Sequence, residues 1–319
     1  MRVVSLGSGS SGNSVLIEAG PERRTKLLVD AGLSARVLAE RLSRFDVTIS
    51  QLQGVLLTHE HSDHVLGLPT LARRYGLPAI ADPRTYAAFE QAMLSGVWST
   101  GTGALPPLAP SHLLNLTQIG DARTGTEQQI PTEITYPATS FPFISFPVGT
   151  RRVIGDIEVV SFPISHDATA PCGYLLQASG CRVCVVTDSG EVTPVMIDHI
   201  AQADLLILES NHDRERLMRG PYPQHLKKRI LSSTGHLSNS QTAEAVLRTW
   251  RADSIRWLWL AHLSKTNNTP SLAQRSLREH LLLAQVNPSQ IHVSALPPDP
   301  GPIWDSTQLW HAPSLWEMK

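Results

Sequence analysis

The stretch Thr58-His59-Glu60-His61-Ser62-Asp63-His64 brings three imidazoles and an aspartate within six residues. It directly follows the apolar run Val55-Leu56-Leu57. A buried strand that ends in such a loop delivers the polar side chains to one edge of a sheet. His59 and His61, two apart, point the same way if strand geometry continues. Asp63 and His64 are adjacent and diverge, so they are free to serve a second ion. Imidazole suits zinc, iron and related ions, and the carboxylate adds charge and hardness. Few structural demands put these residue types at this spacing.

The H-x-H-x-D-H pattern of His59, His61, Asp63 and His64 resembles the signature of the metallo-β-lactamase superfamily. A two-metal site needs further donors, and three later segments offer them. Ile164-Ser165-His166-Asp167 is one. Val185-Val186-Thr187-Asp188-Ser189-Gly190 is an apolar run ending in an aspartate. Trp257-Leu258-Trp259-Leu260-Ala261-His262 is an apolar run ending in a histidine. The resemblance implies that His59, His61 and His166 hold one divalent metal. It implies that Asp63, His64 and His262 hold another, with Asp188 between the two. Zinc fits the histidines, and manganese or iron fits the oxygen-rich second group.

Two other motifs invite competing assignments. Gly7-Ser8-Gly9-Ser10-Ser11-Gly12 satisfies G-x-G-x-x-G, but a dinucleotide fingerprint needs a helix to start there. The next residues, Ser14-Val15-Leu16-Ile17-Glu18, are β-prone instead, so the segment reads as strand, tight loop, strand. Small residues in that loop allow backbone N–H groups to approach a phosphate or the metal site, so Ser10, Ser11 and Asn13 are candidate substrate contacts; a plain hairpin turn is the alternative. Cys181 and Cys184 stand three apart inside an expected strand, so they face opposite sides of it. With Cys172 they are expected to be free thiols.

The 319 residues carry 27 basic and 28 acidic groups, for a net charge of -1, and 41% are hydrophobic. A nucleic-acid partner is therefore not announced by global charge and requires a local basic patch. Lys227-Lys228-Arg229 is the candidate, with Tyr222 nearby to stack on a base; a solvated helix start is the alternative. No apolar run reaches the length of a membrane span. The N-terminus turns glycine-rich before a signal-peptide core forms, so a cytoplasmic location is expected.

Periodicity predicts strands at 2–6, 14–18, 26–29, 53–57, 157–162, 173–178, 181–187, 204–208, 255–260 and 291–295. It predicts helices after Gly32, through 65–75, near Thr193-Pro194, and over 240–251 and 271–284. Residues 98–150 contain seven prolines and four charged residues without a sustained period, and read as an insertion. The expected organisation is α/β: one αβ/βα metallo-β-lactamase sandwich over 1–295, the Pro-rich insertion at 98–150, and an irregular Pro/Trp-rich strap at 296–319.

Ser10 to Asn13, Glu209-Ser210-Asn211-His212-Asp213, Gly235-His236-Leu237-Ser238-Asn239 and Ala261-His262-Leu263-Ser264 resemble the YycJ/WalJ-type branch of the superfamily, which is related to tRNase Z. That resemblance covers most of 1–95 and 153–270. It implies a phosphodiesterase of 5′-to-3′ exonuclease type acting on DNA or RNA, with a bridging hydroxide as nucleophile. It also implies that Glu209 orients His236, which protonates the leaving oxygen. His212 and Asp213 receive no role. An ester, thioester or lactone hydrolase of the same fold is the first alternative, and a non-catalytic metal-binding regulator the second. Oligomeric state is left open.

Overall fold

A computed structural model describes residues 1–95, 141–251, 256–287 and 290–309. The first half runs β1 (Arg2–Gly7), β2 (Ser14–Ala19), β3 (Thr25–Val29), α1 (Ala35–Ser43), β4 (Gly54–Leu56), α2 (Ser62–Val65), α3 (Leu68–Tyr75), β5 (Ala79–Ala81), α4 (Pro83–Ser95) and β6 (Phe143–Ser145). The second half runs β7 (Arg151–Ile154), β8 (Ile157–Pro163), β9 (Cys172–Ala178), β10 (Cys181–Val186), α5 (Pro194–Ile200), β11 (Leu205–Glu209), α6 (Arg214–Arg219), α7 (Gln224–Ile230), α8 (Asn239–Arg248), β12 (Arg256–Ala261), α9 (Pro270–Leu283), β13 (Ile291–Ala295) and β14 (Ile303–Asp305).

The strands form two seven-stranded sheets, ordered β14-β1-β2-β3-β4-β5-β6 and β13-β12-β11-β10-β9-β8-β7. Each sheet has an antiparallel part and a parallel part: β3, β4, β5 and β6 pair in parallel in one, and β10, β11, β12 and β13 in the other. Side-chain alternation explains the layering. Val15, Ile17, Leu27 and Val29 meet Val183, Val185, Ile207 and Trp259 between the sheets. Their neighbours Leu16, Leu28 and Val55 face outward against Leu38, Leu42, Leu71 and Phe89. On the far side Leu206, Leu208, Leu258 and Leu260 pack on Met196, Ile200, Val246 and Leu277. The central strands are covered on both faces, which is why they read as continuous apolar runs. The result is the expected αβ/βα sandwich.

Local chemistry sets the helix boundaries. Ser238 caps α8 and Gln241 completes a capping box, as the sequence spacing predicts. Gly76 ends α3 in the left-handed region at φ 64. All three cysteines are free and buried. Cys181 faces the inter-sheet core and Cys184 the outer one.

The 98–150 insertion lies mostly outside the described residues; its last part, 141–150, docks on the body through its phenylalanines, as those apolar residues suggest. Phe143 belongs to β6, which pairs with β5, and Phe141 and Phe146 are buried. The C-terminal strap is not irregular throughout. Its β14 pairs antiparallel with β1 and buries Trp304 completely. A three-residue edge strand is too short for periodicity to reveal. No helix among the described residues is long and apolar enough to cross a membrane.

Candidate metal centre

Six strands end on the same rim, and each hands a polar residue to it: β1 leads to Ser8, β3 to Asp30, β4 to Thr58 and His59, β10 to Asp188, β11 ends in Glu209, and β12 leads to His262. The H-x-H-x-D-H segment is not a continued strand. β4 stops at Leu56, and Ser62–Val65 form a helical turn that begins directly after His61. That turn makes Asp63 and His64 converge rather than diverge.

The donors fall into overlapping groups whose ligand atoms lie within 4.8 Å of one another. One group is His59, His61 and His166; another is Asp63, His64 and His262; a third joins Asp188 to His59 and His64. His166 Nε2 stands 3.3 Å from His61 Nδ1. Two nitrogens on one tetrahedral zinc, at about 2.0–2.1 Å each, have nearly this separation. Asp188 Oδ2 lies 2.8 Å from His64 Nε2, yet it is not aligned for a hydrogen bond. His59 Nε2 and His262 Nε2 are likewise buried without a partner. Buried polar atoms are normally satisfied, so orphans distributed over these donor groups fit bound cations.

The electrostatics divide the site in two. Burial, reinforced by neighbouring imidazoles, holds His59 well below the usual histidine range. Burial and His166 bring His61 to about 4, and burial lowers His166. These three are neutral donors. Burial also opposes charge on His64 and His262, but Asp30 and Asp188 outweigh it at His64, and Asp188 with Asp63 and Glu209 outweighs it at His262, raising both well above the usual range. Asp63 falls to about 2 despite burial, chiefly through His64 and His262. In this half protons stand where a divalent ion would compete for the same lone pairs.

The outer contacts orient the donors. His64 Nδ1 lies 2.7 Å from Asp30 Oδ2, and Asp30 also accepts from the Thr58 amide and hydroxyl. His166 Nδ1 donates to the Gly235 carbonyl at 3.0 Å. Glu60 accepts from the Thr169 amide and hydroxyl, tying the motif to the loop bearing His166. Carboxylates and carbonyls in this position fix the imidazole tautomer. Beside the donors, His236 Nδ1 donates to Glu209 Oε1 at 2.8 Å. Burial opposes charge on His236, but Glu209 and Asp188 overcome it and raise the group to about 9.

A family profile described as "Metallo-beta-lactamase superfamily" matches residues 7–204. The chain belongs to the metallo-β-lactamase superfamily. Within it, the chain falls in the YycJ/WalJ-type branch. It is 36% identical over 276 residues to an exodeoxyribonuclease YycJ of Bacillus anthracis, spanning 86% of this chain and 87% of the relative. It is 34% identical to exodeoxyribonuclease WalJ of Streptococcus pneumoniae, spanning 88% of each. A ribonuclease Z of Bradyrhizobium diazoefficiens is 26% identical, over 79% of this chain and 83% of that one. Among solved structures, the metallo-β-lactamase fold protein YhfI from Bacillus subtilis superposes with a TM-score of 0.61 at 16% identity, covering 95% of this chain and 98% of YhfI. The superfamily fold and its two His/Asp groups point to divalent metal binding.

Not every sequence-predicted site residue reaches the rim. Ser10 and Ser11 are exposed at the tip of the glycine-rich loop, whereas Asn13 is buried against Asp63 and His64. The basic trio is split, because consecutive helical residues point about 100° apart. Lys227 is buried and its ammonium donates to the Met218 carbonyl at 2.7 Å, so it does not face a backbone. Lys228 is exposed. Arg229 is half-buried and donates to Asp167, next to His166. Asp213 is a helix cap, accepting from the Arg216 amide at 2.8 Å. His212 is fully buried with both ring nitrogens unpartnered, and burial lowers it to about 4. Asp30 was missed by sequence reasoning. Its signal, an apolar strand ending in an aspartate, is the one that singled out Asp188.

Proposed function

We propose that this chain is a divalent-metal-dependent phosphodiesterase that degrades nucleic acid from an end, with DNA as its substrate. The Glu209–His236 pair beside the two donor groups carries the proposal. A small activated ester or lactone needs no buried carboxylate–histidine pair to protonate its leaving group, whereas a sugar oxygen does. The names of the relatives in the branch support the choice of DNA.

His59, His61 and His166 would hold one ion, and Asp63, His64 and His262 the other, with Asp188 between them. Zinc suits the first group, and zinc, manganese or iron the second. When bound, such a pair supplies the positive charge that lets a phosphodiester accept a nucleophile and release an alkoxide. Asp30, Glu60 and the Gly235 carbonyl keep the ligands oriented. His236 carries the proton for the leaving oxygen. Its Nδ1 is anchored on Glu209, its Nε2 forms no hydrogen bond among the described residues, and its side chain is 15% exposed. Protonated at neutral pH, it can donate from Nε2.

The test is a parallel assay of metal-reconstituted protein on end-labelled 5′-phosphorylated single-stranded DNA, the equivalent RNA and a thioester. Stepwise mononucleotide release from DNA is the expected outcome. Hydrolysis of the thioester with both polymers intact would overturn the proposal.

Salt dependence tests the surface. Each phosphate contact contributes about -0.7 to the log–log slope of single-strand affinity against salt. Replacing Lys228 and Arg229 with glutamine should flatten that slope by roughly 0.7–1.4. Lys227→Gln should leave it unchanged, since that ammonium is occupied inside the protein. Fluorescence-anisotropy titrations at several salt concentrations check both. A slope altered only by Lys227→Gln would reverse the assignment.

A further inference from the structure

The glycine-rich loop between β1 and β2 does something other than bind phosphate. A phosphate cradle needs free backbone N–H groups, and most of those here are spent inside the protein. Ser8 N donates to Pro297, Gly9 N to Asn13 Oδ1 at 2.8 Å, Gly12 N to Gly9 and Asn13 N to the Asp63 carbonyl at 2.8 Å. The loop's two buried polar side chains point toward the second donor group.

Ser8 Oγ accepts the backbone N–H of His262 at 2.8 Å across a separation of 254 residues. His262 has φ 53, a left-handed conformation that a non-glycine residue holds only where its surroundings enforce it. Asn211 Nδ2 holds the other side of the same residue, donating to its carbonyl at 3.0 Å. Asn13 serves the opposite wall. Its Nδ2 lies 3.3 Å from Asp63 Oδ2 and 3.1 Å from His64 Nε2, and its carbonyl accepts from Gly32 beside Asp30. Among the described residues no hydrogen bond links this loop to His59, His61 or His166. Gly12, at φ 140, has no room for a side chain: a Cβ would lie 2.5 Å from the Gly32 carbonyl.

We propose that Ser8 and Asn13 are positioning residues that assemble the Asp63–His64–His262 group by pinning its members from two different sheets, and so set the affinity of one ion and not the other. The inference rests on the two-ion reading above. Contacts that orient ligands in this way are typically worth 10–100-fold in metal affinity.

The experiment titrates metal-free protein with zinc against a chromogenic chelator, with elemental analysis and the thermal midpoint of the metal-free protein recorded alongside. Wild type should bind two ions. In Ser8→Ala and in Asn13→Ala one ion should weaken by about 10–100-fold and the other remain as in wild type. Ser8→Thr, which keeps the Oγ acceptor, should restore wild-type binding. The Ser10→Ala/Ser11→Ala pair at the exposed tip should keep both ions. Equal weakening of both ions, unchanged binding in both single variants, a loss that follows unfolding of the metal-free protein, or loss of an ion in the tip variant would each overturn the inference. Wild type binding fewer than two ions would instead remove the reading beneath it.

Discussion

Replacing His236 with alanine should lower turnover on an unactivated phosphodiester by about 10²–10⁴-fold, the usual worth of general acid catalysis. Both ions should remain bound if they occupy the proposed groups His59–His61–His166 and Asp63–His64–His262, because His236 belongs to neither and sits instead with Asp188, Glu209 and His262. The loss should shrink with the basicity of the leaving group. A 4-nitrophenolate departs without a proton, so a nitrophenyl phosphodiester should be cleaved at close to the wild-type rate. Steady-state kinetics on both substrates, with metal content measured on the same preparation, separate the outcomes. Equal losses on the two substrates would show that His236 shapes the site rather than delivering a proton.

Asp188→Asn should have the other large effect, removing a charge while nearly preserving shape. Asp188 Oδ2 approaches His64 Nε2 at 2.8 Å and its Oδ1 approaches His262 Nδ1 at 2.8 Å. It is the carboxylate common to the His59–His64 and Glu209–His236–His262 groups. Burial disfavours its charge, yet His262 and His64 hold it well below the usual carboxylate range. Without that charge the two proposed ions would lose the anion between them. Metal content should fall from two ions per chain to one or fewer, and turnover should fall with it. Asparagine tolerates the left-handed backbone at φ 52, so the metal-free fold should survive, as circular dichroism can check. Two ions retained in this variant would take Asp188 out of the bridging position.

The donors are legible because each follows an apolar strand within a few residues, and the layered fold carries strand ends to a common rim. The loosest cases are Asp63 and His64, well past the end of β4 at Leu56, which the H-x-H-x-D-H pattern picks out. Contacts made across the chain were not legible. Nothing local marks Ser8, whose partner is His262, nor shows that Asp30 would reach His64. Lys227, Lys228 and Arg229 misled because adjacency in sequence is divergence on a helix: one is buried, one exposed and one paired with Asp167. The short strands β5, β6 and β14 escaped because three residues carry no measurable period. β14 finds its place by pairing with the longer β1, whereas β5 and β6 extend the sheet beyond the equally short β4.

Glu209 receives four donors from four places: its Oε1 takes His236 Nδ1 and His262 Nδ1, and its Oε2 takes the amides of Ser189 and Leu237. On the proposed roles, one side chain would underwrite both a metal ligand and the proton donor. A change at this position would then alter acid strength and metal affinity together. Separate adjustment of either property would fall to the partners around Glu209 and not to the carboxylate itself.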